Sequence, residues 1–123
     1  MIFISNKKLP GLYWSKQVDL FGNFEIEKVN STKIDKTIYC GRPSLLGNPF
    51  SHLNTSIAKF ICKQEEVLIK YEEWLNSLNK NSSEIKFLQE LQGLSHSQNI
   101  CLECWCKPRK CHCDIILHKI EML

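Results

Sequence analysis

The sequence has no long apolar run and no recognisable export signal. None of its apolar segments approaches the roughly 18–20 residues that cross a bilayer. The first residues also lack a basic segment followed by a long apolar one, the pattern typical of a secretion signal. We therefore expect no membrane association and no secretion. At 123 residues and 43% apolar content, the chain is predicted to form a single domain over 1–123.

The chain also has little excess of either positive or negative charge. The formal net charge is only +3, with 13 acidic residues against 16 basic ones. Nucleic-acid binding is possible, but a balance this mild does not support it. The basic residues are nearly all lysine, and the two arginines, Arg42 and Arg109, stand out for that reason.

The chain has an odd number of cysteines, seven. A secreted disulfide framework should leave no thiol over, whereas cytosolic cysteines stay reduced and serve in packing, metal sites or catalysis. This count favours a cytoplasmic protein. Five of the seven lie within 101–113, while Cys40 and Cys62 stand alone and are expected to be core residues.

The apolar pattern predicts alternating strands and helices. Phe24 and Ile26 alternate with glutamates at the period of a strand, and apolar residues from Val67 onward recur at helical spacing. The predicted elements are strands within 21–30 and over 36–40, helices over 65–78 and 82–93, a strand over 99–106, and a last helix with Pro108 in its first turn.

This order predicts an α/β fold: a small, single-domain, Rossmann-like sheet that is partly parallel and flanked by about three helices. Residues 1–23 remain an unassigned extension. In such sheets, ligands bind beyond the carboxyl ends of the strands. Segments 41–50 and 104–113 both leave predicted strands at that end, so we expect them to meet.

The 41–50 loop has the composition of a pre-shaped turn. Gly41 and Gly47 permit positive φ or a close approach of the backbone to a ligand. The alternative is a tight structural turn that binds nothing. The side chains that the loop would offer to a phosphate, base or sugar are Arg42, Ser44 and Asn48.

Three chemistries compete for the cysteine-histidine segment. The residues Cys104, Cys106, Cys111 and His112 are right in type and number for a zinc site, although their spacing is unusual for one. Alternatively, Cys111 at a helix amino terminus is a reactive thiol, with His112 as acid or base. In the third interpretation, the thiols are small core residues and Trp105 only packs.

Three blocks together resemble a known family. They are G-R-P-S-L-L-G-N-P-F at 41–50, E-E-V with the following Tyr71 and Trp74, and C-W-C-K-P-R-K-C-H-C-D at 104–114. The chain resembles, over about 24–121, the small phage and bacterial family called domain of unknown function 4326. The resemblance implies a compact α/β domain with no settled biochemical role. Members typically carry a small residue at the position of Cys113 and often no cysteine at that of Cys101, so both look like additions.

The leading hypothesis is a site for a nucleotide, nucleoside or related phosphate, either bound or processed, in a phage or host setting. Arg42 would hold an anion, Asn48 would orient a base or sugar, and Trp105 would stack. Any catalytic role falls to Cys111, His112 and Asn48. The remaining lining residues are Gly41, Ser44, Gly47 and Cys106. Whether the protein is an enzyme stays open, no cofactor is required, and the alternative is a structural zinc or interaction module for protein or nucleic acid.

Overall fold

The computed structural model describes residues 1–18, 24–29, 33–42, 44–51, 60–61, 66–107 and 109–123. The predictions for Cys62 and Pro108 fall outside these ranges. Within them the strands are β1 (Ile2–Asn6), β2 (Tyr13–Val18), β3 (Phe24–Val29), β4 (Lys36–Tyr39), β5 (Phe50–Ser51), β6 (Phe60–Ile61) and β7 (Ile100–Cys104). The helices are α1 (Val67–Ser77), α2 (Ser83–Leu94) and α3 (His112–Glu121).

Five of the strands form one mixed sheet in the order β3-β2-β1-β7-β4. Strands β1, β7 and β4 are parallel, whereas β2 and β3 continue the sheet as antiparallel neighbours. The chain leaves β4, forms α1 and α2, and returns to pair β7 alongside β4, as expected of a crossover connection. The predicted α/β class with a partly parallel sheet is confirmed.

The first strand, β1, lies at the centre of the sheet, in the segment that the sequence left unassigned. All five of its residues are buried, and it pairs with β7 from Ile2↔Ile100 to Asn6↔Cys104. So short an apolar run carries no periodicity, because a strand flanked by two others and buried throughout does not alternate. This strand fixes where the segments beyond β7 lie relative to the start of the chain.

The core lies between one side of the sheet and the three helices. Alternate residues Ile2, Ile4, Ile100 and Leu102 point to this side and are 5% exposed or less. The helices meet them with the apolar stripes that their spacing predicts. The buried helical residues in this core are Tyr71, Leu75, Ile85, Leu88, Leu91, Cys113, Ile116, Leu117 and Ile120.

The ends of the helices differ slightly from the predictions. Ser82 caps α2, and its side chain accepts a hydrogen bond from the Ile85 N–H at 3.3 Å. The helix then passes Gly93 and ends at Leu94. Helix α3 begins only at His112, with Cys111 as its N-cap, four residues after Pro108. In the part of the chain that the structure describes, no helix is long and apolar enough to span a membrane.

Candidate metal centre

Three thiols converge where β7 ends and α3 begins. The sulfur atoms of Cys104, Cys111 and Cys113 all lie within 4.8 Å of one another, and the three residues are at most 1% exposed. The Cys104 and Cys111 sulfurs are 3.5 Å apart. Cys104 is the last residue of β7, while Cys111 and Cys113 occupy the N-cap and second position of α3.

A buried asparagine shapes the turn between these two elements. The side-chain amide of Asn6 donates to the carbonyl of Trp105 at 3.2 Å and to that of Lys107 at 2.6 Å. The Arg109 N–H then donates to the Cys106 carbonyl at 2.9 Å, which closes the turn. Since Asn6 ends β1, the central strand holds the backbone that carries the thiols.

The environment favours one thiolate in the cluster. Hydrogen bonds from the thiols of Cys111 and Cys113 lower the pKa of Cys104, and the backbone N–H groups of Cys106 and Lys107 act in the same direction against its burial. The same thiol contacts raise the pKa of Cys111 and of Cys113, which hold their protons as donors. These contacts therefore favour the thiolate form at Cys104 over that at Cys111 or Cys113.

A fourth thiol, that of Cys106, borders the cluster. It is partly exposed, and a hydrogen bond from the Cys111 thiol together with the charge of Arg109 lowers the pKa of Cys106 to about 7, against its partial burial. Cys104 and Cys106 are two residues apart, a spacing that puts both side chains on one face of a regular strand, but the Cys106 sulfur lies outside the group of sulfurs within 4.8 Å. The bend at residue 105 ends the strand there, and the two side chains need not follow the regular geometry of a strand.

His112 turns away from the thiols and contacts the other conspicuous segment. Its Nε2 lies 2.5 Å from the Cys40 carbonyl oxygen, so this nitrogen carries a proton and donates. Burial lowers the pKa of His112, which keeps the ring neutral. Its edge packs on the Tyr71 ring, with centroids 5.3 Å apart. This histidine joins the start of α3 to the 41–48 loop.

The glycines of that loop serve close packing within the protein. Neither adopts positive φ, which among the described residues occurs only at Gly11. A side chain on Gly41 would collide with the Tyr39 ring, and one on Gly47 would come within 3.0 Å of the Ser44 carbonyl oxygen. The two glycines therefore allow a close approach of other groups of the protein, the Tyr39 ring and the Ser44 carbonyl.

Buried groups hold the rest of the loop. The Tyr71 hydroxyl donates to the Leu46 carbonyl at 2.8 Å, inside the core. Asn48 is 7% exposed, and Ser44 carries a buried hydroxyl for which the described residues offer no hydrogen-bond partner. Arg42 is half-buried and close enough to His112 to act on its charge.

Trp105 lies apart from these groups, on the surface. It is 44% exposed, and its indole N–H donates to the Tyr39 hydroxyl at 2.8 Å. Segment 104–113 therefore contacts the two residues just before the 41–48 loop, Trp105 against Tyr39 and His112 against Cys40.

A cleft of about 580 Å³ opens on the other side of the thiol cluster, between β3, α1 and α3. Its walls include the ion pair of Lys107 and Asp114, whose charged atoms are 2.5 Å apart and largely buried. Residues predicted for the nucleotide site are not among the side chains that line it. The cleft and the predicted site are thus separate features.

Sequence reasoning missed Cys113, Asn6 and Tyr71. Cys113 was set aside as an addition to the family pattern, yet the structure places it beside Cys104 and Cys111. The C-x-C spacing of 111–113, mirroring that of 104–106, was the available signal. Asn6 carried no signal, because only the register of β1 against β7 brings it to the turn.

The comparisons with known proteins agree with the sequence motifs. Residues 25–122 match the family described as Domain of unknown function (DUF4326). Comparison with curated proteins and with solved structures finds no match. The matched region begins in β3 and includes the 41–50 loop, all three helices and the thiol cluster. The chain therefore belongs to the DUF4326 family.

Proposed function

We propose that this domain binds one zinc ion through the thiolates of Cys104, Cys106, Cys111 and Cys113, as a structural centre. The observation that carries the proposal is the convergence of three buried sulfur atoms within 4.8 Å. Sulfur ligands at about 2.3 Å from a tetrahedral zinc ion lie about 3.8 Å from one another. Small side-chain movements would bring the three sulfurs to that spacing.

The fourth ligand in this proposal is Cys106 and not His112. The Cys106 side chain follows Cys104 by two residues and borders the cluster, although its sulfur lies outside the group within 4.8 Å, and its lowered pKa favours the thiolate that a metal requires. The Nε2 of His112 donates to the Cys40 carbonyl at 2.5 Å, which leaves only Nδ1 for a metal, and neither ring nitrogen belongs to the group of ligand atoms within 4.8 Å of one another. The resulting pattern, C-x-C-x4-C-x-C, draws two ligands from the end of β7 and two from the start of α3.

The surroundings suit a closed, charge-stabilised site. Backbone N–H groups of Cys106 and Lys107 point at the Cys104 sulfur, and such contacts support a metal-bound thiolate. The positive end of the α3 dipole adds to this effect. Four protein ligands leave no open coordination position, which is the arrangement of structural zinc and not of catalytic zinc. Zinc would hold the strand end and helix start together, with His112 passing this constraint to the 41–48 loop.

A nucleotide site between the 41–48 loop and the cysteine-histidine segment stays a hypothesis. Its predicted members Asn48 and His112 are both buried against the protein. Trp105 is its most exposed predicted member and Arg42 is half-buried, so an aromatic or anionic ligand would meet these two side chains. Catalysis by Cys111, His112 or Asn48 would require substrate to reach groups that are at most 8% exposed.

The test is metal content together with cobalt spectroscopy. Protein purified without chelator should carry one zinc ion per chain, and cobalt substitution should give the thiolate charge-transfer and visible bands of a tetrahedral sulfur site. Serine substitution of Cys104, Cys111 or Cys113 should abolish stoichiometric binding. Cys106→Ser should weaken binding and shift the cobalt spectrum, because Cys106 supplies the most exposed ligand.

Two control variants sharpen the result. Cys101→Ser alters a buried thiol of the same strand, whose sulfur contacts the Ser5 hydroxyl at 3.1 Å, and it should keep the metal. His112→Asn should also keep it. A folded, reduced protein that takes up no zinc would overturn the proposal. Loss of the metal in a folded His112→Asn protein would overturn the ligand set.

A further inference from the structure

An exposed aromatic and basic surface lies beside the thiol cluster, and we name it the Trp105 surface. It consists of Lys7, Lys8, Tyr39 and Trp105. The Lys7 ammonium lies 5.2 Å from the centre of the Tyr39 ring and 5.4 Å from that of Trp105, and the Lys8 ammonium lies 5.5 Å from the Trp105 ring. Cations and ring faces are thus combined at one place.

Buried hydrogen bonds fix the backbone of this surface. Asn6, 8% exposed, donates to the Trp105 carbonyl at 3.2 Å and accepts from the Lys8 N–H at 2.8 Å. The Lys7 N–H donates to the Cys104 carbonyl at 2.9 Å. The two lysines and the tryptophan come from opposite ends of the sequence, yet one side chain holds both segments. The surface is therefore organised before any ligand arrives.

The two rings are positioned by each other. The indole N–H of Trp105 donates to the Tyr39 hydroxyl at 2.8 Å. A ligand would therefore contact the face of the indole ring and not its N–H. Tyr39 in turn folds over Gly41, where any larger residue would displace it. Nothing in the core requires Trp105 at this position, because 44% of it is exposed.

Basic charge is concentrated at this end of the sheet, although the chain as a whole carries only +3. The loops that follow β1, β4 and β7 contain six of the 16 basic residues and no acidic residue, while Glu103 lies in β7 and Asp114, which pairs with the buried Lys107, lies in α3. The basic residues in question are Lys7, Lys8, Arg42, Lys107, Arg109 and Lys110. Overall net charge conceals this asymmetry.

We propose that the Trp105 surface binds single-stranded nucleic acid, with an unpaired base stacked on Trp105 and the flanking phosphates held by Lys7 and Lys8. Aromatic rings stack on any base, and lysines follow the backbone charge, which is how proteins bind single strands with little sequence preference. Both lysine side chains are exposed, so their ammonium groups are free to move from the ring to a phosphate. An open surface suits a strand better than a small nucleotide, which needs a concave pocket.

The experiment is a titration of a fluorescein-labelled single-stranded oligonucleotide, followed by anisotropy at low salt. Wild-type protein should bind saturably. Trp105→Ala should weaken binding about tenfold or more, because stacking is lost, while Trp105→Phe should retain most of the affinity. The double variant Lys7→Gln/Lys8→Gln should bind more weakly. It should also reduce the steepness of the plot of log binding constant against log salt concentration by about 1.4, which corresponds to two phosphate contacts on a single strand.

Matched controls separate this surface from general charge. The double variant Lys80→Gln/Lys86→Gln also removes two positive charges, from exposed positions just before α2 and within it. It should change the affinity far less than the Lys7→Gln/Lys8→Gln variant does. Circular dichroism establishes that each variant is folded. A duplex of the same sequence should compete less well than the single strand, because its bases are already stacked on one another.

Several results would overturn the proposal. They are the absence of saturable binding at low salt, equal affinities of folded wild-type and Trp105→Ala proteins, equal competition by an acidic peptide, and equal competition by free nucleoside phosphates. The last of these would assign the surface to a small nucleotide instead. The metal proposal is independent of all four outcomes, since zinc content is measured separately.

Discussion

A buried hydrogen bond from helix α1 to the 41–48 loop gives the sharpest quantitative prediction. The Tyr71 hydroxyl donates to the Leu46 carbonyl oxygen at 2.8 Å, and both residues are at most 1% exposed. Tyr71→Phe removes the donor and leaves the ring, so packing against His112 is kept while the carbonyl loses its partner. Leaving such a buried acceptor unsatisfied costs about 1–3 kcal/mol.

This cost converts into a measurable change in melting temperature. With an unfolding entropy of about 2.1 cal/mol/K per residue, a domain of this length loses about 4 °C for each kcal/mol. Tyr71→Phe should therefore melt about 4–12 °C below the wild type in calorimetry, with matching losses in urea titration.

The same helix offers a matched control. The Ser77 hydroxyl donates to the Trp74 carbonyl at 2.7 Å, but at an exposed site where water replaces it. Ser77→Ala should change the melting temperature by at most about 2 °C. If Tyr71→Phe melts within 1 °C of the wild type, or no lower than Ser77→Ala, then this bond does not hold the loop and our account of the loop is wrong.

Three further predictions concern the Lys107–Asp114 ion pair, the thiols, and the cap of α2. Lys107→Met should reduce the free energy of unfolding in urea by about 3–5 kcal/mol, because the buried Asp114 carboxylate loses its partner; a loss below about 1 kcal/mol would refute this reasoning. In metal-free protein, iodoacetamide should modify Cys106 with half-maximal rate near pH 7, whereas burial raises the pKa of Cys101 to about 11 and should protect it throughout; peptide mass spectrometry reports both, and equal rates would contradict the assignment. Ser82→Ala should cost about 1 kcal/mol in the same urea assay through loss of the α2 cap, while Ser82→Asp should restore the stability.

The sequence predicts the outer parts of this fold better than its centre. The sequence periodicity reveals helices α1 and α2 and strand β3, because each of them has one buried side and one exposed side. Strand β1 does not, since all of its residues are buried and no period survives. Its place between β2 and β7 depends on tertiary pairing, which a single short apolar segment does not predict.

The candidate site was predictable in residue type but not in geometry. The cluster of cysteines within 101–113 indicated a metal or a reactive thiol, and Cys104 and Cys111 were identified for either role. Regular strand geometry places Cys104 and Cys106 on one face, and regular helix geometry directs Cys111 and His112 about 100° apart, so these four residues do not converge on one ion. In the structure, the end of β7 at Cys104 and the start of α3 at His112 bring Cys104, Cys111 and Cys113 together, while His112 contacts the Cys40 carbonyl. These are departures from regular structure, which periodicity does not report.

The pairing of β1 with β7 also has a consequence for how the protein is made. Ile2 pairs with Ile100, so the centre of the sheet closes only after β7 has left the ribosome. Until then β1 can pair with β2 but has an open edge on its other side, and unpaired strand edges make folding intermediates prone to aggregate. Contacts across so long a separation also slow folding. The thiols of 104–113 emerge at the end of β7 and immediately after it, so in a newly made chain the proposed metal ligands come together only as the sheet closes.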